Sequence, residues 1–150
     1  MQQILMVCLG NICRSPLAEG ILQSKVDPSK ISVDSAGTAA YHVGELPDKR
    51  SIATAKKYGI DLTQQRARKF SIKDFDIFDI IYAMDQSNYQ DLLSLARNQQ
   101  DKDKLHLILN ESYPNEQREV PDPYYGGVDG FEQVYQLLDE ACTVIQKKIE

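Results

Sequence analysis

Residues 3–7 form a short apolar run that stops at Gly10 and Asn11, a pattern that predicts a strand closed by a turn. Ser15 and Pro16 then open a helical period, with Leu17, Ala18, Ile21 and Leu22 on one face and proline near the first turn. After the break at Asp27 and Pro28, residues 31–35 read as a second extended stretch. Strand, tight loop, helix and strand in this order favour a parallel sheet.

The pattern is then lost over residues 36–46, a stretch with Gly37 and Gly44 that reads as a loop long enough to edge a site. Pro47 and Asp48 start a helix that Gly59 can cap. Residues 77–84 read as the third strand, and Asp85 can cap a helix carrying Tyr89, Leu92, Leu93 and Ala96. Residues 98–104 read as a solvated helix end and loop, residues 105–109 as the fourth strand, and residues 110–127 as turn-rich chain. Phe131, Val134, Tyr135, Leu138, Ala141, Cys142, Ile145 and Ile149 share one stripe of a final helix, with Asp129 and Glu132 spaced as a capping box. The predicted fold is α/β: a single-domain three-layer sandwich with a four-stranded parallel sheet, helices on both faces and a ligand site after strand one.

The chain's 150 residues are enough for one domain but not two. Seventeen basic against 22 acidic residues give a net charge of -5, which argues against a nucleic-acid partner. The longest uninterrupted apolar run, residues 4–9, is too short to span a bilayer, and no Lys or Arg precedes it as a secretory leader requires. A soluble cytoplasmic protein with no membrane partner is expected, with monomer as the default. Three cysteines, Cys8, Cys13 and Cys142, are too few for a disulfide scaffold and read better as reduced thiols or as chemistry.

Residues 8–15 (Cys8, Leu9, Gly10, Asn11, Ile12, Cys13, Arg14, Ser15) place a thiol and a guanidinium six positions apart across the turn from strand to helix. A chain curled there turns backbone N–H groups inward, and the helix N-terminus adds positive potential, so the concavity suits a tetrahedral oxyanion. Arg14 can clamp two of its oxygens, and the same field favours the thiolate form of Cys8 as a nucleophile. A Ser15 hydroxyl can donate to that thiolate. Gly10 lets the backbone turn, and Asn11 tolerates left-handed geometry. The bland alternative is a buried strand cysteine, an ordinary turn and an arginine paired at the surface.

A second stretch, residues 120–127, is a stiff loop carrying Asp122 between two prolines, followed by Tyr124 and Tyr125. Aryl phosphate hydrolysis expels a phenolate whose conjugate acid has a pKa of about 10, so a positioned proton donor helps, and Asp122 is the candidate. Once ionised, it can take a proton from the water that attacks a cysteinyl phosphate. Tyr124 and Tyr125 can wall the site, or pack in the core. Taken alone, Asp122 reads better as a turn residue before proline.

In CLGNICRSP at residues 8–16 and DPYYGG at residues 122–127, the chain resembles the low-molecular-weight protein tyrosine phosphatase family. The likeness extends through Asp34, Ser35, Ala36, Gly37, Thr38, Pro47, Asp48, Arg50, Met84 and Asp85, and so covers nearly the whole chain. It implies metal-independent hydrolysis of phosphotyrosine in proteins, without a cofactor, through a cysteinyl phosphate. Cys8 is then the nucleophile, Arg14 the phosphate clamp, Ser15 the thiolate partner and Asp122 the acid and base. Asn11 and Ser35 match residues that hold the phosphate loop in shape, while Tyr124, Tyr125 and the region of Tyr41, with His42 at its edge, match the cleft walls. Gln65 stands where some animal members carry a histidine bonded to the loop framework, which puts that support in question. The resemblance also implies a protective disulfide between Cys8 and Cys13 on oxidation; a small buried packing residue is the alternative for Cys13. Among substrates it suggests a bacterial tyrosine kinase.

Three rival functions are weighed against this one. An arsenate reductase of the same fold needs further cysteines after the third strand, and residues 82–95 contain none. A phosphoarginine phosphatase has relatives with a small polar residue where this chain carries Ile12, which suits an aryl group better. An idle phosphotyrosine-binding module is disfavoured because Cys8, Arg14 and Asp122 are all present. His42 and His106 show no metal-ligand spacing, so no metal is expected.

Overall fold

The computed structural model describes residues 1–124 and 127–149. Strand β1 (Gln2–Cys8) lies inside a four-stranded sheet, with β2 (Ile31–Gly37) on one side and β3 (Ile80–Ala83) on the other, and β4 (Leu105–Leu107) beyond β3. Every pairing is parallel. Helix α1 (Arg14–Lys25) crosses from β1 to β2, and α2 (Lys49–Lys57), α3 (Asp74–Ile77), α4 (Gln86–Leu95), α5 (Gln99–Asp103) and α6 (Val128–Ile149) complete the covering layers.

The unbroken apolar run of β1 follows from its central position. Ile4 and Met6 face an apolar layer from α1 and α6, whereas Leu5 and Val7 face a second layer with Phe75 of α3 and Leu92 of α4. All four are fully buried, the usual fate of a parallel strand covered on both faces. The expected stripes of α1 and α6 are buried as well, from Leu17 to Leu22 and from Phe131 to Ile145, with Ile149 partly covered. The predicted sandwich and strand count hold.

Four local expectations change. The third strand covers only Ile80–Ala83, because the chain just before it coils into α3: Asp74 accepts from the Ser71 N–H at 2.8 Å, and Phe75 is buried while Ile77 is about half exposed. The stretch at 98–104 is a short helix of its own, α5, capped by Asn98 and held by the buried Asp101 on Arg97. The fourth strand ends at Leu107 and passes into a 3-10 turn, Ile108–Asn110. Asp129 and Glu132 do not form a capping box: α6 begins at Val128, and Glu132 instead accepts from Lys57 and Tyr58 across the interface with α2. Among the described residues no helix is long and apolar enough to cross a membrane.

Candidate active site

The sheet order reverses at β1, whose successor in sequence lies to one side and β3 to the other. The crevice outside the carboxyl ends of these strands is where open α/β sheets bind ligands. Residues 8–14 occupy it. Asn11 takes a left-handed φ of 58°, which bends the chain so that its N–H points back to the Cys8 Sγ at 3.3 Å. Gly37 of β2 lies so close behind the loop that a Cβ there would meet the Leu9 carbonyl oxygen at 2.7 Å; a glycine is required for steric reasons.

The loop surrounds one end of a cleft of about 220 Å³ lined by Cys8, Leu9, Gly10, Ile12, Cys13, Arg14, Tyr41, His42, Asp122 and Tyr124. Burial separates floor from rim: Cys8 and Arg14 are each 3% exposed, Tyr41 75% and Tyr124 38%. His42 packs over Gly10, its Nδ1 is 2.7 Å from the Glu45 carboxylate, and its ring lies 6.5 Å from that of Tyr124. Of the aromatic residues expected to line the cleft, Tyr125 lies outside the described residues.

Beneath the floor runs a chain of hydrogen bonds. The Ser15 Oγ lies 3.0 Å from the Cys8 Sγ, and the Asn11 Nδ2 donates to both the Ser15 Oγ at 2.7 Å and the Ser35 Oγ at 3.0 Å. Ser35 in turn donates to the Glu19 Oε1 at 2.6 Å, and the Asn11 Oδ1 accepts from the Arg68 N–H. Ser35 is therefore a support under the loop and does not line the cleft. At the position where some animal members carry a histidine, Gln65 donates to the Pro16 carbonyl at 3.1 Å, while its Oε1 is buried without a hydrogen-bond partner among the described residues. Burial pushes the Glu19 carboxyl up to about 7, although the Ser35 and Gln23 hydrogen bonds act the other way.

Arg14 is held by Asp85, a residue that from the sequence is a helix cap. Its Nη1 donates to the Asp85 Oδ2 at 2.7 Å and the Val120 carbonyl at 2.9 Å, while its Nη2 lies 3.8 Å from the Asp122 Oδ2. Asp85 does cap α4 as expected, accepting from the Asn88 N–H through its other oxygen. The signal for its second role is the strand order: Val7 pairs with Ala83, so Asp85 emerges beside the β1 loop. Burial opposes the Arg14 charge, but the Cys8 sulfur and the Asp85 and Asp122 carboxylates outweigh it, so the guanidinium holds its proton more firmly than usual.

Asp122 sits in a turn and also lines the cleft. Its Oδ1 accepts from the Tyr124 N–H at 3.0 Å as a turn residue does, and Cys8 and Arg14 line the same cleft. Cys13 is buried in a small apolar cluster with Ile12, Ala67 and Phe131, and burial together with Asp48 and Cys8 pushes its thiol up to about 12. Cys142 is fully buried in the core, as expected, and all three cysteines are free thiols. His106 alternates outward between Leu105 and Leu107. Among the described residues no three His, Cys, Asp or Glu side chains converge as metal ligands do.

A buried thiol at the turn from strand to helix, with a buried arginine and a carboxylate lining the same cleft, is the donor set of a cysteine-dependent phosphatase class on an open α/β sheet. The comparisons agree. The sequence model of the low molecular weight phosphotyrosine protein phosphatase family matches residues 3–150, and the chain belongs to that family. It is 44% identical over 143 residues to the low molecular weight phosphotyrosine protein phosphatase of Schizosaccharomyces pombe, covering 91% of this chain and 90% of that one. Against a crystal structure of a protein tyrosine phosphatase from Entamoeba histolytica the TM-score is 0.92 at 38% identity, over 99% and 96% of the two chains. Vibrio vulnificus Wzb in complex with benzylphosphonate gives 0.87 at 31% identity, over 98% of each.

Proposed function

We propose that this protein hydrolyses phosphotyrosine in proteins through a cysteinyl phosphate at Cys8, with no metal required. The observation that carries the reading is the floor of the cleft, where the Cys8 Sγ meets the Asn11 N–H and the Ser15 hydroxyl beside the buried Arg14. Such donors stabilise a sulfur anion, and a thiolate, unlike a thiol, attacks phosphorus. The thiolate displaces the tyrosine oxygen as the P–O bond breaks and Asp122 hands its proton to the departing phenolate. Asp122, now a carboxylate, takes a proton from water as that water attacks the phosphocysteine, and the thiolate departs with the Ser15 hydroxyl donating to it. Arg14 and the loop amides hold the phosphoryl oxygens throughout.

Several features support an aryl substrate. Cys8 lies at the bottom of a cleft with aromatic walls from Tyr41, His42 and Tyr124, which suits a phosphate at the end of a long flat side chain. The apolar Ile12 lines it where a phosphoarginine enzyme would carry a small polar residue. Benzylphosphonate, an aryl phosphate mimic, is bound by the related Vibrio vulnificus protein. An arsenate-reducing relay would need further cysteines after the third strand, where residues 82–95 carry none, and Cys142 lies buried in the core. We place the protein in the cytoplasm as a monomer of one domain over residues 1–150, in keeping with its three free thiols. Its substrates are phosphotyrosine proteins, a bacterial tyrosine kinase among them.

The test is hydrolysis of a phosphotyrosine peptide in the presence of a chelator by wild type, Cys8→Ser and Asp122→Ala, beside phosphoserine, phosphoarginine and arsenate. Turnover of phosphotyrosine alone, lost in Cys8→Ser and reduced by about 10²-fold or more in Asp122→Ala for poor leaving groups, is the expected result. Turnover of another of these compounds in its place refutes the substrate class.

A further inference from the structure

Asp122 lies on a loop whose prolines, Pro121 and Pro123, have no N–H with which to fasten it, and the side chain itself is 42% exposed. Its distance from Cys8 must nonetheless be kept, because proton transfer to a leaving group tolerates little misplacement.

Arg50 bridges the gap. The Asp48 N–H donates to the carbonyl of Ile12 in the phosphate-binding loop at 2.7 Å. The Asp48 carboxylate accepts from the Arg50 Nε at 3.0 Å and from its Nη2 at 3.1 Å. The same Nη2 donates to the Tyr124 carbonyl at 2.9 Å, two residues after Asp122, and Tyr124 returns its N–H to the Asp122 Oδ1. The guanidinium lies 4.5 Å from the ring centroid of the buried Phe131 and 5.7 Å from that of Tyr124. Arg50 does not line the cleft. Only a planar fork can hold a carboxylate on two nitrogens and a carbonyl on one of them while resting on a ring; a lysine ammonium cannot.

We propose that Arg50 is a positioning residue for the general acid: through Asp48 and Tyr124 it fixes Asp122 relative to the phosphate-binding loop. This rests on the phosphatase reading and assigns to it a residue that touches neither the phosphate nor the reacting atoms. A loosened Asp122 should slow the expulsion of basic phenolates and leave activated ones nearly untouched, whereas a general loss of structure would slow all alike.

The experiment compares kcat/KM for phenyl phosphate and for p-nitrophenyl phosphate, whose phenol is more acidic, in wild type, Arg50→Met, Arg50→Lys, Asp122→Ala and the Arg50→Met/Asp122→Ala double variant. Methionine keeps an apolar stem over Phe131. The expected result is a fall of about tenfold on phenyl phosphate in Arg50→Met, with little change on p-nitrophenyl phosphate, incomplete rescue by lysine, and no further loss when Asp122 is already alanine. An equal fall on both substrates, or an additive loss in the double variant, overturns the tether while leaving the phosphatase reading in place. A wild-type protein inactive on both aryl phosphates overturns that reading and the tether with it.

Discussion

The Ser15 hydroxyl lies 3.0 Å from the Cys8 sulfur, and its other neighbour decides which way its proton points. Asn11 donates to Ser15, so the serine oxygen is already an acceptor and its own hydrogen is left to face the sulfur. Asn11 is set the same way up by Ser35, which gives its proton to Glu19 and must therefore accept from the amide.

Removing that donor should hurt the second half of the reaction most, when the sulfur leaves as an anion. Ser15→Ala forfeits a hydrogen bond to a charged group, worth about 1.5–3 kcal/mol, or roughly ten- to hundredfold in rate. The expected outcome is a lower kcat with accumulation of phosphoenzyme, seen as a burst of released phenol in stopped flow. A uniform fall without a burst would place the role of Ser15 elsewhere.

Asp85 serves a helix cap with one oxygen and Arg14 with the other, and two substitutions separate these roles. Asp85→Asn keeps an acceptor for the Asn88 N–H but loses the charge beside Arg14; inhibition by inorganic phosphate should weaken with little change in Tm. Asp85→Ala should weaken it too and also cost about 1 kcal/mol for the lost cap. Thermal melts and competitive inhibition on the three proteins check both.

Glu19 gives the fold a pH dependence of known sign. Its carboxyl is raised to about 7 in the folded protein from an ordinary value of 4.5, so the folded state binds the extra proton between those limits. Its contribution is complete below the lower value and lost as pH rises through 7, amounting to roughly 3 kcal/mol across the window. Urea denaturation from pH 4.5 to 8 should show this decline in wild type and a flatter profile in Glu19→Gln. The same slope in both proteins would rule Glu19 out as its source.

Cys13 has a thiol pushed up to about 12, so it is a poor nucleophile near neutrality. If it nonetheless condenses with an oxidised Cys8 to form a disulfide with loss of water, recovery by dithiothreitol after peroxide should be more complete in wild type than in Cys13→Ser. Closure should also quicken as pH rises, because the thiolate fraction grows. Equal recovery in the two proteins leaves Cys13 as packing for Ile12 and Phe131.

The strands and the turn at residues 8–14 were legible in the sequence because each obeys a local rule. A strand covered on both faces is an unbroken apolar run, as in residues 4–8, and a loop that needs a left-handed residue shows Gly and Asn where it turns. The features that escaped depend on partners distant in sequence. Helix α3 has a local half, the Ser71 and Arg68 hydrogen bonds to Asp74, and a remote half, Asp34 of β2 on the other side of Arg68, 34 positions away. The expected capping box failed for the same reason, since Glu132 faces α2. Asp85 was visible as a cap but not as the anchor of Arg14, because only the order β2-β1-β3 brings the two together. The Asp48 and Arg50 bracket had a local half, the helix start, and a remote half, the Tyr124 carbonyl 74 positions on.

Cys8 belongs to the same apolar cluster as Leu17, Ala18 and the inner face of α6, where Val134, Leu138 and Cys142 close over α1, with the Cys142 sulfur 3.9 Å from the Ala18 carbonyl. The floor of the cleft is therefore also the roof of the core, and a cavity opened beneath it, as by Leu138→Ala, is expected to loosen the seat of the Cys8 sulfur as well as the packing of α6 on α1.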